Sequence, residues 1–178
     1  MTYRTVSTLA AAFIALSISM TLASAQTAPE CPNYLEPAPQ SDLGYSLGAG
    51  VPDGSVYGGD VAAGGPIDVT NCGIDHSGYV SATAGLDFHW LSSDVGLTFK
   101  TTQSNWTASS VSIDTVLLVQ APNGVTYFND DGADDTRYSR IDIPVAYAIA
   151  GTYQVWVGTY APDTRGTQVR VAITVASD

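Results

Sequence analysis

Residues 114–160 read DTVLLVQAPNGVTYFNDDGADDTRYSRIDIPVAYAIAGTYQVWVGTY, and this stretch decides the fold. Thr115, Leu117 and Val119 alternate with Val116, Leu118 and Gln120, the two-residue period of a strand. Val116 and Leu118 make the second face apolar too, which predicts a central strand covered on both sides. Pro122-Asn123-Gly124 follows as a turn, because proline presets φ and glycine accepts a positive φ. VTYFN and RIDIP read as short strands on either side of an acidic loop. Tyr153, Val155 and Val157 then alternate with Gln154 and Trp156, and Gly151 lets the backbone turn into that strand. Tyr153 and Trp156 fall on opposite faces. Trp156 therefore has two readings: a packing residue with a polar handle, or part of an aromatic binding surface.

The same period extends outward. Ile67 and Val69 alternate with Asp68 and Thr70, and Gly78–Thr83 and Leu86–Leu91 follow, separated by Ala84-Gly85. Val95, Leu97 and Phe99 continue it, and Val169, Val171, Ile173 and Val175 close the chain. No window beyond the N-terminus forms an amphipathic helix; residues 145–150 suggest one short turn. Roughly six to nine short strands with Gly, Pro, Asn and Asp between them predict an all-β chain, an antiparallel β-sandwich of jelly-roll type, over residues 66–178. Residues 26–65 carry Pro29, Pro32, Pro37, Pro39 and Pro52 and are dense in glycine from Gly44 onward. Both residue types weaken strands, so this segment reads as a lead-in with one or two short strands, such as near Ser55–Tyr57. It serves either as a functional arm or as a structural wrap across the sandwich.

Arg4, an apolar run from Leu9 to Leu22 and the small residues Ala23-Ser24-Ala25 compose a secretory signal peptide over residues 1–25. The run is short for a membrane span of ~20 apolar residues. Cleavage leaves about 150 residues, enough for one domain with a real core. The expected location is periplasmic or extracellular. Cys31 and Cys72 are the two cysteines, and in an oxidising compartment they predict one disulfide that pins the mature N-terminus to the sandwich. Six basic residues against 17 acidic ones make the net charge −11. Such a chain repels phosphate backbones and anionic lipid, which argues against nucleic acid and membrane surfaces as partners.

A set of motifs carries a family likeness. Asp114 opens a strand with Leu117 and Val119; Pro122 and Gly124 make its turn; Asp130-Asp131 begin the acidic loop; Gly151-Thr152-Tyr153 with Val157 form the next strand; Gly78-Tyr79 follow Cys72, and Trp156–Tyr160 spell W-V-G-T-Y. In this the chain resembles the bacterial pre-peptidase C-terminal domain, in the form that stands nearly alone in small exported proteobacterial proteins, over roughly residues 67–175. The resemblance implies a small β-sandwich attached to secreted enzymes. Those relatives often carry a cysteine just before the acidic loop, where this chain has Phe128 or Asn129, which leaves Cys31 as the partner of Cys72.

The acidic loop is the best candidate site. Asn129, Asp130, Asp131, Asp134 and Asp135 crowd together, and Asp114 stands at a strand start nearby. Two carboxylates ~4 Å apart repel by about 1 kcal/mol in water. The cluster is either a solvated turn or a calcium site, since calcium takes carboxylate, amide and carbonyl oxygens. It is not an EF-hand loop, which needs Glu at the twelfth position. His76, Ser77 and His89 could enter a hydrolase only with a nucleophile motif, and neither G-D-S-G nor G-x-S-x-G occurs. The expectation is a non-catalytic exported module that binds or scaffolds a polysaccharide or another exported protein. Trp90, Trp106, Trp156, Tyr127 and Tyr160 are candidates for an aromatic binding face, Trp156 and Tyr160 first among them. The alternatives are a calcium-binding accessory module and a small secreted serine hydrolase.

Overall fold

The computed structural model describes residues 31–35, 38, 54–103, 113–132, 137–162 and 166–176. Residues 1–30, which include the expected signal peptide, and Trp106, Asp134 and Asp135 lie outside the described residues. Ten strands are present among those described: β1 (Val56–Ala62), β2 (Ile67–Asp68), β3 (Tyr79–Val80), β4 (Leu86–Trp90), β5 (Gly96–Gln103), β6 (Thr115–Gln120), β7 (Thr126–Asn129), β8 (Arg140–Ile143), β9 (Gly151–Thr159) and β10 (Gln168–Ala176). All pairings are antiparallel.

The strands form two sheets. One has the order β1-β10-β5-β8; the other runs β2-β3-β9-β6-β7, with β4 also paired to β9. The pairings are nested. β1 pairs with β10, β4 with β9, β5 with β8 and β6 with β7. That is one long hairpin, with the β6–β7 turn at its tip, rolled so that β10 also meets β5 and β9 meets β6. This is the jelly-roll sandwich that the alternation predicts.

Phe88, Trp90, Leu97, Phe99, Leu117, Tyr153, Val155 and Val157 fill the space between the sheets with buried side chains. Tyr153 closes one end. Its hydroxyl donates to the Ile149 carbonyl at 2.9 Å and accepts from the Ile149 amide at 2.9 Å. A tyrosine clamped to backbone just upstream is a corner that β-sandwiches use. Residues 145–147 make the single turn expected there.

A second, smaller core lies outside the sheets. Val116, Leu118 and Trp156 project from the outer face of β6 and β9, and Ile67, Val69, Val80, Ala84 and Ala38 bury them. β6 is thus covered on both faces, as its sequence predicts. The cover is the β2–β3 region, through Ile67, Val69, Val80 and Ala84, together with Tyr34 and Ala38 of the N-terminal segment. That segment is held by the Cys31–Cys72 disulfide (Cα–Cα 5.5 Å) and by the Asn33 amide, which donates to the Ala82 carbonyl at 2.7 Å. Of the lead-in, Tyr34 and Ala38 thus pack on the sandwich as a wrap, while Val56–Ala62 enter a sheet.

Three expectations change. First, the sandwich begins at Val56 rather than Pro66, because β1 pairs along its whole length with β10. A short strand is expected near Ser55–Tyr57, and glycine density hides its extension to Ala62. At Gly58 it reflects a close approach, since a Cβ there would collide with the Val171 carbonyl. Second, the alternation of Ile67 and Val69 does not continue as strand. Residues Val69–Cys72 form a 3-10 turn capped by Asp68, whose carboxylate accepts from the Thr70 amide at 3.0 Å. Third, Trp156 is fully buried, at 0% exposure, and so is Trp90. Neither belongs to an exposed aromatic face.

Candidate functional site

Alternation sends Asp87 and His89 of β4, Thr152 and Gln154 of β9, Gln120 of β6 and Thr126 of β7 to the outer face of the second sheet. Register lines four of them up. Asp87 stands opposite Gln154, Gln154 opposite Gln120, and Gln120 opposite Thr126. Directly beside this polar row runs the apolar row Trp156, Leu118 and Phe128. Among the described residues, the apolar row is largely buried, and Asp87, Gln154 and Gln120 of the polar row are half-buried.

Tyr34 stands at the border. Its ring meets Trp156 edge-on, with centroids 5.2 Å apart and planes at 75°. Its hydroxyl is hydrogen-bonded to the Thr126 side chain, while burial, the stronger effect, raises its pKa above 10.0. The wrap also reaches Asp87, whose Oδ2 accepts from the Ala38 amide at 3.0 Å. The other oxygen, Oδ1, is buried without a hydrogen-bond partner. Wrap and sheet together enclose a groove of about 410 Å³, walled by Tyr34 and Leu35 on one side and by Pro122 and Gly124 of the β6–β7 turn on another. Its floor is Asp87, Gln154, Gln120 and Thr152. Side-chain amides both donate and accept, and a carboxylate accepts only. This floor suits a neutral ligand dense in hydroxyl groups.

The acidic loop lies at the far end of the same sheet. Asp114 precedes β6, and its carbonyl accepts from the Tyr160 amide at 3.0 Å. The loop leaves from Asn129 and returns at Arg137, whose carbonyl accepts from the Thr115 amide at 2.9 Å. The structure therefore brings Asp114, Asn129, Asp130 and Asp131 to one end of the sheet. Asn129 is engaged in holding the loop. Its Nδ2 donates to the Arg140 carbonyl at 2.7 Å and its Oδ1 accepts from the Asp131 amide at 3.3 Å. No cluster of three or more metal-ligating side chains occurs among the described residues. Tyr160 is 47% exposed, also at this end, away from the groove.

A buried hydroxyl network supports the loop. The Thr101 and Thr115 hydroxyls lie 2.7 Å apart, and Ser139 Oγ donates to the Thr115 carbonyl at 2.6 Å and approaches the Asp130 carbonyl at 3.3 Å. His76 stacks on Phe128, centroids 5.4 Å apart, and His89 Nδ1 lies 3.0 Å from Thr152 Oγ1. The two histidines thus occupy separate parts of the sheet.

The groove residues Tyr34, Asp87, Gln120 and Gln154 are not singled out by sequence reasoning. The available signal was the alternation that puts Gln120 and Gln154 on the face away from Val119 and Tyr153; that they share a row follows from register. Comparison with protein-family models and with curated proteins found no match. Among the described residues no helix is long and apolar enough to cross a membrane.

Proposed function

We propose that this chain is a non-catalytic exported β-sandwich module that binds a neutral polysaccharide through the groove above Asp87, Gln154 and Gln120. The observation that carries the reading is the polar row that floors a groove beside Tyr34. Ligand sites are concave, with a few convergent polar groups set among apolar ones. Tyr34, Leu35 and Pro122 supply the apolar walls, and the amides, carboxylate and hydroxyl supply the polar groups. The charge of −11 disfavours anionic polymers, so a neutral glycan is the complementary class. A disulfide fits an exported protein. The likeness to the pre-peptidase C-terminal domain is consistent with an accessory rather than a reacting part.

Affinity electrophoresis against glucan, mannan, xylan and galactan tests the reading. Retardation by at least one polymer, relieved in Gln154→Ala, is expected. Mobility unchanged by every polymer would overturn it.

A further inference from the structure

We propose that the cleft on the other side of the β6–β7 hairpin, bounded by Tyr127 and Tyr147, is a second subsite for the same glycan chain; this rests on the groove being a glycan site. The cleft has a volume of about 420 Å³ and lies between the hairpin and the β8–β9 connection. Asn123 and Val125 form its hairpin side, while Pro122 and Gly124 border the first groove. One tight turn therefore separates the two hollows. The Gly124 amide donates to the Ala121 carbonyl at 2.9 Å, and the Ala121 amide to the Val125 carbonyl at 2.8 Å. Successive residues face opposite sides, so the hollows lie on opposite faces of the hairpin, and a glycan chain of several units that bends around its tip can occupy both.

The chemistry of the second cleft complements the first. Tyr147 is 64% exposed and Val125 45%, among the large apolar side chains this chain leaves in water. Tyrosine offers a flat apolar face with a polar tip, the combination that stacks on the C–H face of a sugar ring while its hydroxyl engages water or ligand. Among the described residues no carboxylate lines the cleft, and Asn123 supplies an amide at the rim. The rim is also fixed in place. The Tyr147 and Ala148 amides both donate to the Pro144 carbonyl, at 2.9 and 3.0 Å, and the Tyr153 hydroxyl holds Ile149 through both backbone groups. An exposed aromatic on an anchored turn binds at little entropic cost.

The first groove orients the ligand by hydrogen bonds, and the second lengthens the contact by stacking. The test takes the polymer retained by the wild-type protein and titrates its oligosaccharides, from disaccharide to octasaccharide, by calorimetry. Affinity should rise with length until both hollows are filled, and Tyr147→Ala should lower the affinity for the octasaccharide about tenfold, down to that of short chains. Gln154→Ala should weaken short and long chains alike. If the octasaccharide binds no tighter than the short chains, or Tyr147→Ala leaves its affinity unchanged, the second subsite is overturned while the groove stands. If no neutral polymer or oligosaccharide binds, both fall. An unchanged melting temperature for Tyr147→Ala establishes that the variant is folded.

Discussion

Tyr34 stands edge-on against Trp156, 5.2 Å between ring centroids, three residues along the chain from the disulfide-bonded Cys31. This one contact joins the wrap to the sheet and walls the groove. Trp156 is buried because a segment far from it in sequence lies on top of it. The groove lies where the polar row runs beside this contact.

Reduction of the disulfide should therefore act on both stability and binding. It closes a loop with a sequence separation of 41, for which the chain-entropy model gives about 4 kcal/mol as an upper figure. Reducing agent, or Cys31→Ser with Cys72→Ser, should lower the melting temperature and shift tryptophan emission to the red as Trp156 meets water. Emission unchanged on full reduction would show that the wrap stays down without its bond.

Gly151 lies against the turn that separates the two hollows. A Cβ there would sit 2.5 Å from the Cβ of Pro122, and its φ of 136° is one that residues with side chains rarely adopt. Gly151→Ala should cost about 1–3 kcal/mol in urea denaturation, from strain and from the displaced hairpin together. A loss within a few tenths of a kcal/mol would mean that the turn gives way freely.

The buried hydroxyls make a third case. Thr115 is fully buried, and its hydroxyl accepts from the Ser139 amide at 3.1 Å and donates toward the Arg137 carbonyl at 3.1 Å. Thr115→Val keeps the shape and strands these partners, which should cost about 1–3 kcal/mol. Hydrogen exchange at the Ser139 amide should quicken, because both ends of the acidic loop are tied to this network. Unaltered exchange there would separate the loop from the network.

High pH should weaken the fold through two phenols. Burial, the largest effect at each, holds Tyr34 and Tyr153 above 10.0; the bonds to Thr126 and to Ile149 pull them back, and Tyr127 pushes Tyr153 further up. The fold favours the neutral phenol. Their contribution is complete below the unfolded value of about 10 and is lost as pH rises from there through the raised folded values. Urea melts should thus be insensitive to these groups near neutrality and show falling stability above about pH 10. Tyr153→Phe should cost about 1 kcal/mol at neutral pH and flatten the alkaline fall. A fall as steep as in the parent protein would assign it to other groups.

Much of the sandwich was legible in local pattern. The alternation of residues 151–157, the two apolar faces of Val116–Val119 and the Pro-Asn-Gly turn each report a neighbour's side without naming the neighbour. The full length of β1 was less legible than the short strand expected near Ser55–Tyr57, because its glycines, one of them forced by the approach of Val171, erase the alternation. The candidate site was less legible. The dense aspartates drew the eye to one end of the sheet, but a dense cluster reports charge and not enclosure. Gln120 and Gln154 look like ordinary solvent-facing positions until β9 is laid beside β6.

The sequence by itself determined that the chain is a sandwich of short antiparallel strands, which residues face inward, and which two sulfurs can pair. Those follow from interactions within one strand or turn, or from there being two cysteines. Only the tertiary structure decided which strands pair to nest the jelly roll, that Trp156 is roofed by Tyr34, and that Asp87, Gln154 and Gln120 share one row. Each of these depends on register between segments tens of residues apart, set by how the whole core packs rather than by any local preference.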